Sequence, residues 1–512
     1  MWPRLCIEKK EEIQPVMLTV LIFLPLVGTM ALYLVPHRTA WRWIAVMTGA
    51  VVLLLSIAAA VLFNWGRGSL QLEEHAAWIP ALGASYHLGI DGLSLPLVLL
   101  TTLLTFLALF YAWKQDTSPR EYFALYLVME TGLLGFFCTM DLLLFYLFFE
   151  VSLVPMYFII GVWGHERRIE AALKFFLYTR VGSLAVLLSI LALYLGTSPH
   201  TFDLPAIIAA HPYAGAGVGA SLVMLGFLVG FGIKLPVFPL HSWLPDAHTS
   251  APTEGSVILA GLLLKLGGYG LLRIALPTVP GALSAWSIPI AALAVVSAIY
   301  GAAVAMAQAD LKRLIAYSSI NHMGYVLLGV AVAAAATANA ADRTAAASGA
   351  TYQLVAHGLI TGSLFFLVGM LADRTGTREI RKLSGIWTAL PLYGSLLAFA
   401  MFASLGLPTL ADFAAEVQIV LGTLAVYRWA AAGMLLGILV TTAMFLWTIQ
   451  RVLLGKVPSE WTRLPRLSAR EIATLLPLVA LIILLGILPG PLVSIISSAL
   501  RTSPLGILLK GW

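Results

Sequence analysis

Long apolar runs alternate with short polar connections along the whole chain. Fourteen runs of about 20 residues can be marked, the length that crosses a bilayer as a helix. They begin near Val16, Trp41, Asp91, Tyr122, Asp141, Ala171, Val218, Pro252, Ala285, Leu311, Tyr352, Gly385, Trp429 and Ile472. Backbone groups in lipid must pair internally, so the runs are predicted to be helices. The fold class is an all-α polytopic membrane protein with about 14 transmembrane helices. Two runs are interrupted: GFGIKLPVFPLHSW, with Pro236 and Pro239 just after Lys234, and ASLGLPTLADFAAEV, with Pro408 before Glu416. Proline lacks an N–H and clashes with the preceding turn, so each helix is expected to break there. Two interrupted spans at corresponding positions point to an internal repeat with an ion site at mid-membrane. A first count puts the breaks one helix out of register, the third span of a block from Tyr122 and the fourth of a block from Ala285.

Composition agrees with this pattern. Charged residues make up 11% of the 512 and hydrophobic residues 60%, against about 25% charged in soluble domains. A soluble chain of this kind would expose too much apolar surface. Taking the loops alternately, one side holds eighteen Lys/Arg, from Arg38 and Arg42 to Arg466 and Arg470. The other holds six: Arg67, Arg273, Arg343, Arg428, Arg501 and Lys510. This asymmetry predicts an even number of spans with both termini outside. The first residues, MWPRLCIEKKEEIQPV, do not resemble a signal peptide, and Met17 opens the first apolar run. Residues 1–16 are read as a misassigned N-terminal extension.

Cys6 and Cys138 stand far apart, and there is no CxxC, cysteine–histidine cluster, GxGxxG or P-loop. No disulfide, iron–sulfur, zinc or cofactor-binding site and no catalytic residue is expected on this chain, and nothing suggests nucleic acid. The candidate chemistry is a set of ionisable residues inside apolar runs: Glu130, Glu150, Arg180, Lys234, Lys265, His322, His357 and Glu416. A charge near mid-membrane costs at least about 2.5–3.5 kcal/mol, so such residues face a bundle interior, pair, or line a water path. Burial disfavours the charged form of an isolated lysine or glutamate, and pairing restores it. Glu150 and Lys234 brought together would hold each other ionised, and separation would release the lysine's proton. His322 and His357 suit a relay because histidine titrates near neutrality. They are placed between Lys265 and Glu416, with Tyr317, Ser318, Ser319 and Thr361 as hydroxyls that hold water. The plainer readings stay open: a static Glu150–Lys234 pair, core histidines bonded to carbonyls, and Arg180 snorkelling or paired with a carboxylate. Glu130 is read chiefly as structural and kept as an auxiliary site. His241, Asp246 and His248 are spaced for a metal but read as a capped turn, with Thr253 or Ser250 capping the next helix.

LFFEVSLVPMYFIIGVWG, GFGIKLPVFPLHSWLPDAHTSAPTEGSVILAGLLLKLGGYGLLR and LKRLIAYSSINHMGYV resemble the antiporter-like subunits of respiratory complex I (NADH-quinone oxidoreductase), the M-type, or chain 4, most of all. The resemblance covers nearly the whole chain from Met17. It implies 14 helices in two inverted five-helix repeats, helices 4–8 and 9–13, with helices 7 and 12 broken. Tyr122 then opens helix 4 and Val218 helix 7, so both breaks fall in the fourth member of a repeat. The divisions are 17–121 for helices 1–3, 122–275 for the first repeat, 285–453 for the second, 472–492 for helix 14 and 493–512 for a short C-terminal tail. Glu150, Lys234, Lys265 and Glu416 would be proton-channel residues. Glutamate at 416 is the M-type choice, where L-type and N-type members and the main sodium/proton antiporter subunits carry lysine. The few residues after the last span leave no room for the long lateral helix of an L-type chain. This chain departs from the family at the second break. Thr409, Ala411 and Ala415 stand where glycines are common, which makes a stiffer, more crowded turn, and Asp412 adds a carboxylate that could serve as a proton site beside Glu416 or pair with an arginine.

The expected function is therefore proton translocation within the membrane arm of complex I, coupled to quinone reduction, as part of a translocase-class enzyme. Protons would pass from the cytoplasmic side toward Lys234 and Lys265, laterally through His322 and His357, and out at Glu416. NADH, FMN, iron–sulfur clusters and quinone would sit in partner subunits. The partners are the L-type and N-type subunits and the lipid bilayer, and the location is a bacterial inner membrane, multi-pass, with periplasmic termini. The alternatives are a subunit of a multisubunit sodium/proton antiporter, a related hydrogenase or carbon-uptake assembly, and a purely structural subunit.

Overall fold

The computed structural model describes residues 16–461 and 463–502. The extension expected at residues 1–16 lies, apart from Val16, outside the described residues, as does the end of the chain beyond 502. Among the described residues, twelve helices are long and apolar enough to cross a membrane, and two shorter apolar helices mark the interrupted runs. In chain order the elements are α1 (Met17–Leu34), α2 (Arg38–Leu62), β1 (Gln71–Ile79), β2 (Ala84–Ile90), α3 (Leu95–Tyr111), α4 (Pro119–Cys138), α5 (Leu142–Trp163), α6 (Arg168–Leu195) and the short α7 (Leu204–Ala210). Then come α8 (Val218–Lys234), α9 (Trp243–Ser250), α10 (Thr253–Thr278), α11 (Ser287–Met306), α12 (Leu311–Ala334), α13 (Ala340–Thr375), α14 (Pro391–Ser404), α15 (Ala411–Val426), α16 (Arg428–Val452), α17 (Ala469–Ile487) and α18 (Gly490–Thr502).

Three of these form the centre. α10 and α13 are wholly buried over their most apolar stretch and α12 is 94% buried, whereas α1, α2, α6, α16 and α17 are each 39% buried or less. The outer helices cover the inner three and turn leucines such as Leu188, Leu439 and Leu476 outward, as a lipid-facing surface requires.

The differences from the expected layout have physical causes. α13 starts at Ala340, not Tyr352, because the intervening AADRTAAASGA is rich in helix-favouring alanine though poor in large apolar residues. Asn339 caps it, accepting from the Asp342 amide at 2.9 Å. Arg343, counted in a loop, lies in its first turns and donates to the Ala335 and Ala338 carbonyls. The segment 493–512, expected as a tail, contributes most of α18, which packs on α13. β1 and β2 form an antiparallel ribbon between α2 and α3 that the helical pattern does not foretell.

Arg273, also counted in a loop, is buried at the end of α10 with 4% of its side chain exposed. It pairs with the fully buried Asp91 at the corner between β2 and α3, and its Nε donates to Tyr269 Oη at 3.0 Å. Asp91 Oδ1 also accepts from the Leu93 amide at 2.9 Å, so one carboxylate ties the ribbon, α3 and α10 together. Arg273→Ala leaves Asp91 buried without its counter-charge. The expected loss is about 3–5 kcal/mol, read as a lower thermal midpoint of the purified complex, and Asp91→Asn in the same chain should restore part of it. Simple addition of the two losses would contradict the pairing.

Candidate proton path

The first break is built from missing donors. α8 ends at Lys234, Pro236 and Pro239 carry no N–H, and α9 resumes at Trp243. The Ile233 carbonyl, left without its helical partner, accepts from Trp243 Nε1 at 3.0 Å, and the Phe238 amide finds Ser297 Oγ at 2.9 Å. The break packs against Gly267 of α10, where a Cβ would overlap the Phe231 carbonyl. Lys234 Nζ sits 4.9 Å from the Phe149 ring centroid and 5.9 Å from that of Phe175. It makes no hydrogen bond to the protein. The expected Glu150–Lys234 ion pair is not formed, because the Glu150 carboxylate bonds Arg180 instead. Glu150 stands beside a discontinuity of its own: α5 is interrupted at Ser152, since Pro155 cannot donate to the Val151 carbonyl.

The second break has the same logic. Pro408 stands four residues after Ser404 and withholds the amide that would bond its carbonyl. His322 Nε2 lies 3.0 Å from that carbonyl. The same nitrogen is 3.5 Å from Asp412 Oδ2, and Asp412 Oδ1 accepts from Gln353 Nε2 at 2.7 Å. Donor atoms of His322, Asp412 and Glu416 all lie within 4.8 Å of one another, a spacing that a shared proton and a small cation both fit. Asp412 does not take an arginine. Thr409 adopts φ +77°, a left-handed conformation that costs a side-chain-bearing residue about 1–2 kcal/mol.

Between the breaks lie the two remaining residues. Lys265 follows a π-helical turn, Leu259–Leu263. Such bulges concentrate at functional sites. Its Nζ donates to the Ala260 carbonyl at 2.7 Å and reaches His357 Nδ1 at 2.6 Å. With the Lys265 ammonium as donor, His357 accepts on Nδ1 and its neutral ring carries the proton on Nε2. The rings of His357 and His322 meet edge to face with centroids 5.3 Å apart. The order Lys265, His357, His322, Asp412, Glu416 runs through α10, α13, α12 and α15, and each member is 5% exposed or less.

Other sequence candidates fall outside this row. Glu130 is fully buried on α4 and neither carboxylate oxygen has a protein partner. Thr361, Ser318 and Ser319 spend their hydroxyls on carbonyls of their own helices. His241, Asp246 and His248 have separate surroundings: Asp246 bonds Lys174 at 2.7 Å, and His248 stacks on Phe365 at 4.5 Å. Neither Ser250 nor Thr253 caps α10; Ser250 Oγ donates to the Glu166 carbonyl. Two features were missed in the sequence. Gln353 lies one turn before His357 on the same face, an i, i+4 spacing visible in YQLVAH. On the side of the basic loops, a cavity of about 670 Å³ is lined by His165, Asp310, Lys312, Asp373, Arg378 and Glu379.

The helical architecture with two broken spans and a buried row of ionisable residues defines a membrane protein of the ion-translocating class. The chain belongs to the NADH:quinone oxidoreductase/Mrp antiporter transmembrane family, whose profile matches residues 139–445. It is 39% identical over 492 residues to NADH-quinone oxidoreductase subunit M of Rhodobacter capsulatus, covering 93% of each chain. It is 40% identical over 483 residues to the subunit of the same name in Escherichia coli K12, covering 90% of this chain and 91% of that one. Among solved structures it resembles a chain of respiratory complex I from Thermus thermophilus with a TM-score of 0.85 and 32% identity, over 96% of this chain and 100% of the other.

Gly406, at φ +74°, lies against the Glu416 carboxylate, where a Cβ would overlap Oε2. Gly376 has φ +67° but open space around it. Gly406→Ala is expected to cut proton transport at least about tenfold, while Gly376→Ala carries the backbone strain alone and leaves transport within about twofold. Equal effects in sealed vesicles would show that the contact with Glu416 is immaterial.

Proposed function

We propose that this chain is an M-type, proton-translocating subunit in the membrane arm of an NADH-quinone oxidoreductase. The observation that carries the reading is the buried row from Lys265 through His357 and His322 to Asp412 and Glu416. Protons enter from the cavity on the basic side and reach Lys265, which hands a proton to His357 Nδ1. A bridging water carries it across the gap between the two rings. His322 passes it to the Asp412–Glu416 pair, from which it leaves on the opposite face. Lys234, held only by aromatic rings, is the element that responds to a neighbour, through the Arg180–Glu150 pair. Electron transfer takes place elsewhere: NADH, FMN, iron–sulfur clusters and quinone belong to partner subunits, with L-type and N-type subunits flanking this one. Counting each broken helix as one crossing gives fourteen spans, an even number that leaves both ends of the bundle on one side, and the Lys/Arg asymmetry of the loops favours the periplasmic face of the inner membrane for them. Helices α4 to α10 and α11 to α16 then form the two inverted repeats.

The test is proton pumping by the assembled complex in sealed vesicles, with assembly checked on a native gel. Lys265→Ala and His322→Ala are each expected to lower pumping by at least about tenfold with assembly intact, since a lost proton-transfer group typically costs on the order of 10²–10⁴ in rate. Lys234→Ala should do the same. Wild-type pumping in all three would leave these residues structural.

A second reading, sodium/proton exchange, is favoured by one feature: the His322–Asp412–Glu416 cluster could hold a small cation. Asp412→Asn keeps the hydrogen-bonding capacity toward Gln353 and removes the second carboxylate. In the proton reading it lowers pumping at every sodium concentration. In the exchange reading its effect disappears when sodium is absent.

A further inference from the structure

The β1–β2 ribbon carries a cluster of side chains that the membrane helices do not use. The strand register sets His75 directly opposite His87, so both side chains leave the same face. Their rings meet edge to face with centroids 4.6 Å apart. Glu73 brings Oε1 to 3.0 Å from His87 Nε2. From outside the ribbon, Asp203, at the start of α7, places Oδ1 2.6 Å from His87 Nδ1. One donor atom from each of His75, His87 and Asp203 lies within 4.8 Å of the others.

The cluster is held in place by backbone bonds. The Met140 amide donates to the His87 carbonyl at 2.8 Å. On either side of Asp203, the Phe202 amide bonds the Gly83 carbonyl and the Leu204 amide bonds the Met140 carbonyl. It is also open to water: His75 and Glu73 are exposed, Asp203 is half-buried and only His87 is buried. This surface lies on the face opposite the basic loops, beside the connection between α6 and α7.

We propose that His75 and His87, with a carboxylate from Glu73 or Asp203, bind a divalent transition-metal ion of the zinc class. Two imidazoles and one carboxylate at this spacing, with water in the fourth position, make a donor set suited to four-coordinate zinc, and the oxygens are too few for calcium. His87 has a carboxylate at each ring nitrogen. Whichever nitrogen takes the ion, the other donates to the remaining carboxylate, the arrangement that orients metal-bound histidines. The bound ion links the ribbon to the α6–α7 connection. This inference does not depend on the proton path, since none of its residues belongs to that row.

The experiment is zinc titration of the purified, chelator-stripped complex against a chromophoric indicator, comparing wild type with His75→Ala. Zinc bound by other subunits cancels in the comparison. His75 is exposed, so the variant is expected to assemble; His75→Gln serves where alanine lowers the yield. The expected result is the loss of one zinc equivalent, or at least about tenfold weaker binding at that equivalent. Cobalt in place of zinc should give a visible four-coordinate spectrum in wild type that both His75 variants lack. Unchanged stoichiometry and affinity in the variants would overturn the proposal and leave His87 as a polar tether between two carboxylates.

Discussion

A carbonyl inside a membrane must find a hydrogen-bond donor within the protein, and at three places where a proline disturbs that pairing an ionisable group stands beside the break. Pro408 leaves the Ser404 carbonyl free, and His322 occupies it. Pro236 has no N–H for the Gly232 carbonyl, the Val237 amide takes that carbonyl instead, and the Ile233 carbonyl it leaves is occupied by the Trp243 indole. Pro155 interrupts α5 next to Glu150. Each proline by itself would cost about 3 kcal/mol or more in a helix interior. Here the freed carbonyl becomes the anchor of a side chain that a smooth helix could not hold at that depth.

The central position of α10, α12 and α13 follows from the same constraint. Lys265, His322 and His357 cannot face lipid, so the helices that carry them are surrounded on all sides. The outer helices carry few mid-membrane charges and are the least buried. Glu150 and Arg180 sit nearer the periphery, with the Arg180 side chain 45% exposed. A pair placed there can be reached by a neighbouring subunit, which the central row cannot.

Much of this was legible in the sequence. The helical membrane class, the two interrupted runs and the buried positions of Lys234, Lys265, His322, His357 and Glu416 followed from apolar runs and prolines. His322 and His357 could be set between Lys265 and Glu416 from the sequence, but in the opposite order: His357 is the one that meets Lys265, and His322 is the one that faces Asp412. Partner choice was not legible, because it depends on helix rotation. Glu150 turns toward Arg180 and away from Lys234, and Asp412 turns toward Gln353 and His322. The ribbon escaped because QLEEHAAWI and ASYHLGI are too polar and too short to read as spans. Its histidines, twelve residues apart, become neighbours only through strand pairing. Arg273 and Arg343 were assigned to loops because arginine usually marks them, whereas here each is buried, one against Asp91 and the other against carbonyls at a helix start.

The breaks also explain which charge sits where. A broken helix has two additional ends, and each end carries part of a dipole: negative where a half-helix finishes, positive where one begins. Lys234 is the last residue of α8, and a cation is favoured there. Asp412 lies in the first turn of α15 and Glu416 one turn further on, where an anion is favoured. Each interaction contributes about 0.3–1 kcal/mol at a surface and up to about 2 kcal/mol when partly buried. The sign of charge at each break therefore matches the half-helix end it occupies: a lysine at the finishing end, carboxylates at the starting end. In the proposed path a proton leaving the first kind of site moves toward half-helix starts, where the local backbone field favours negative charge.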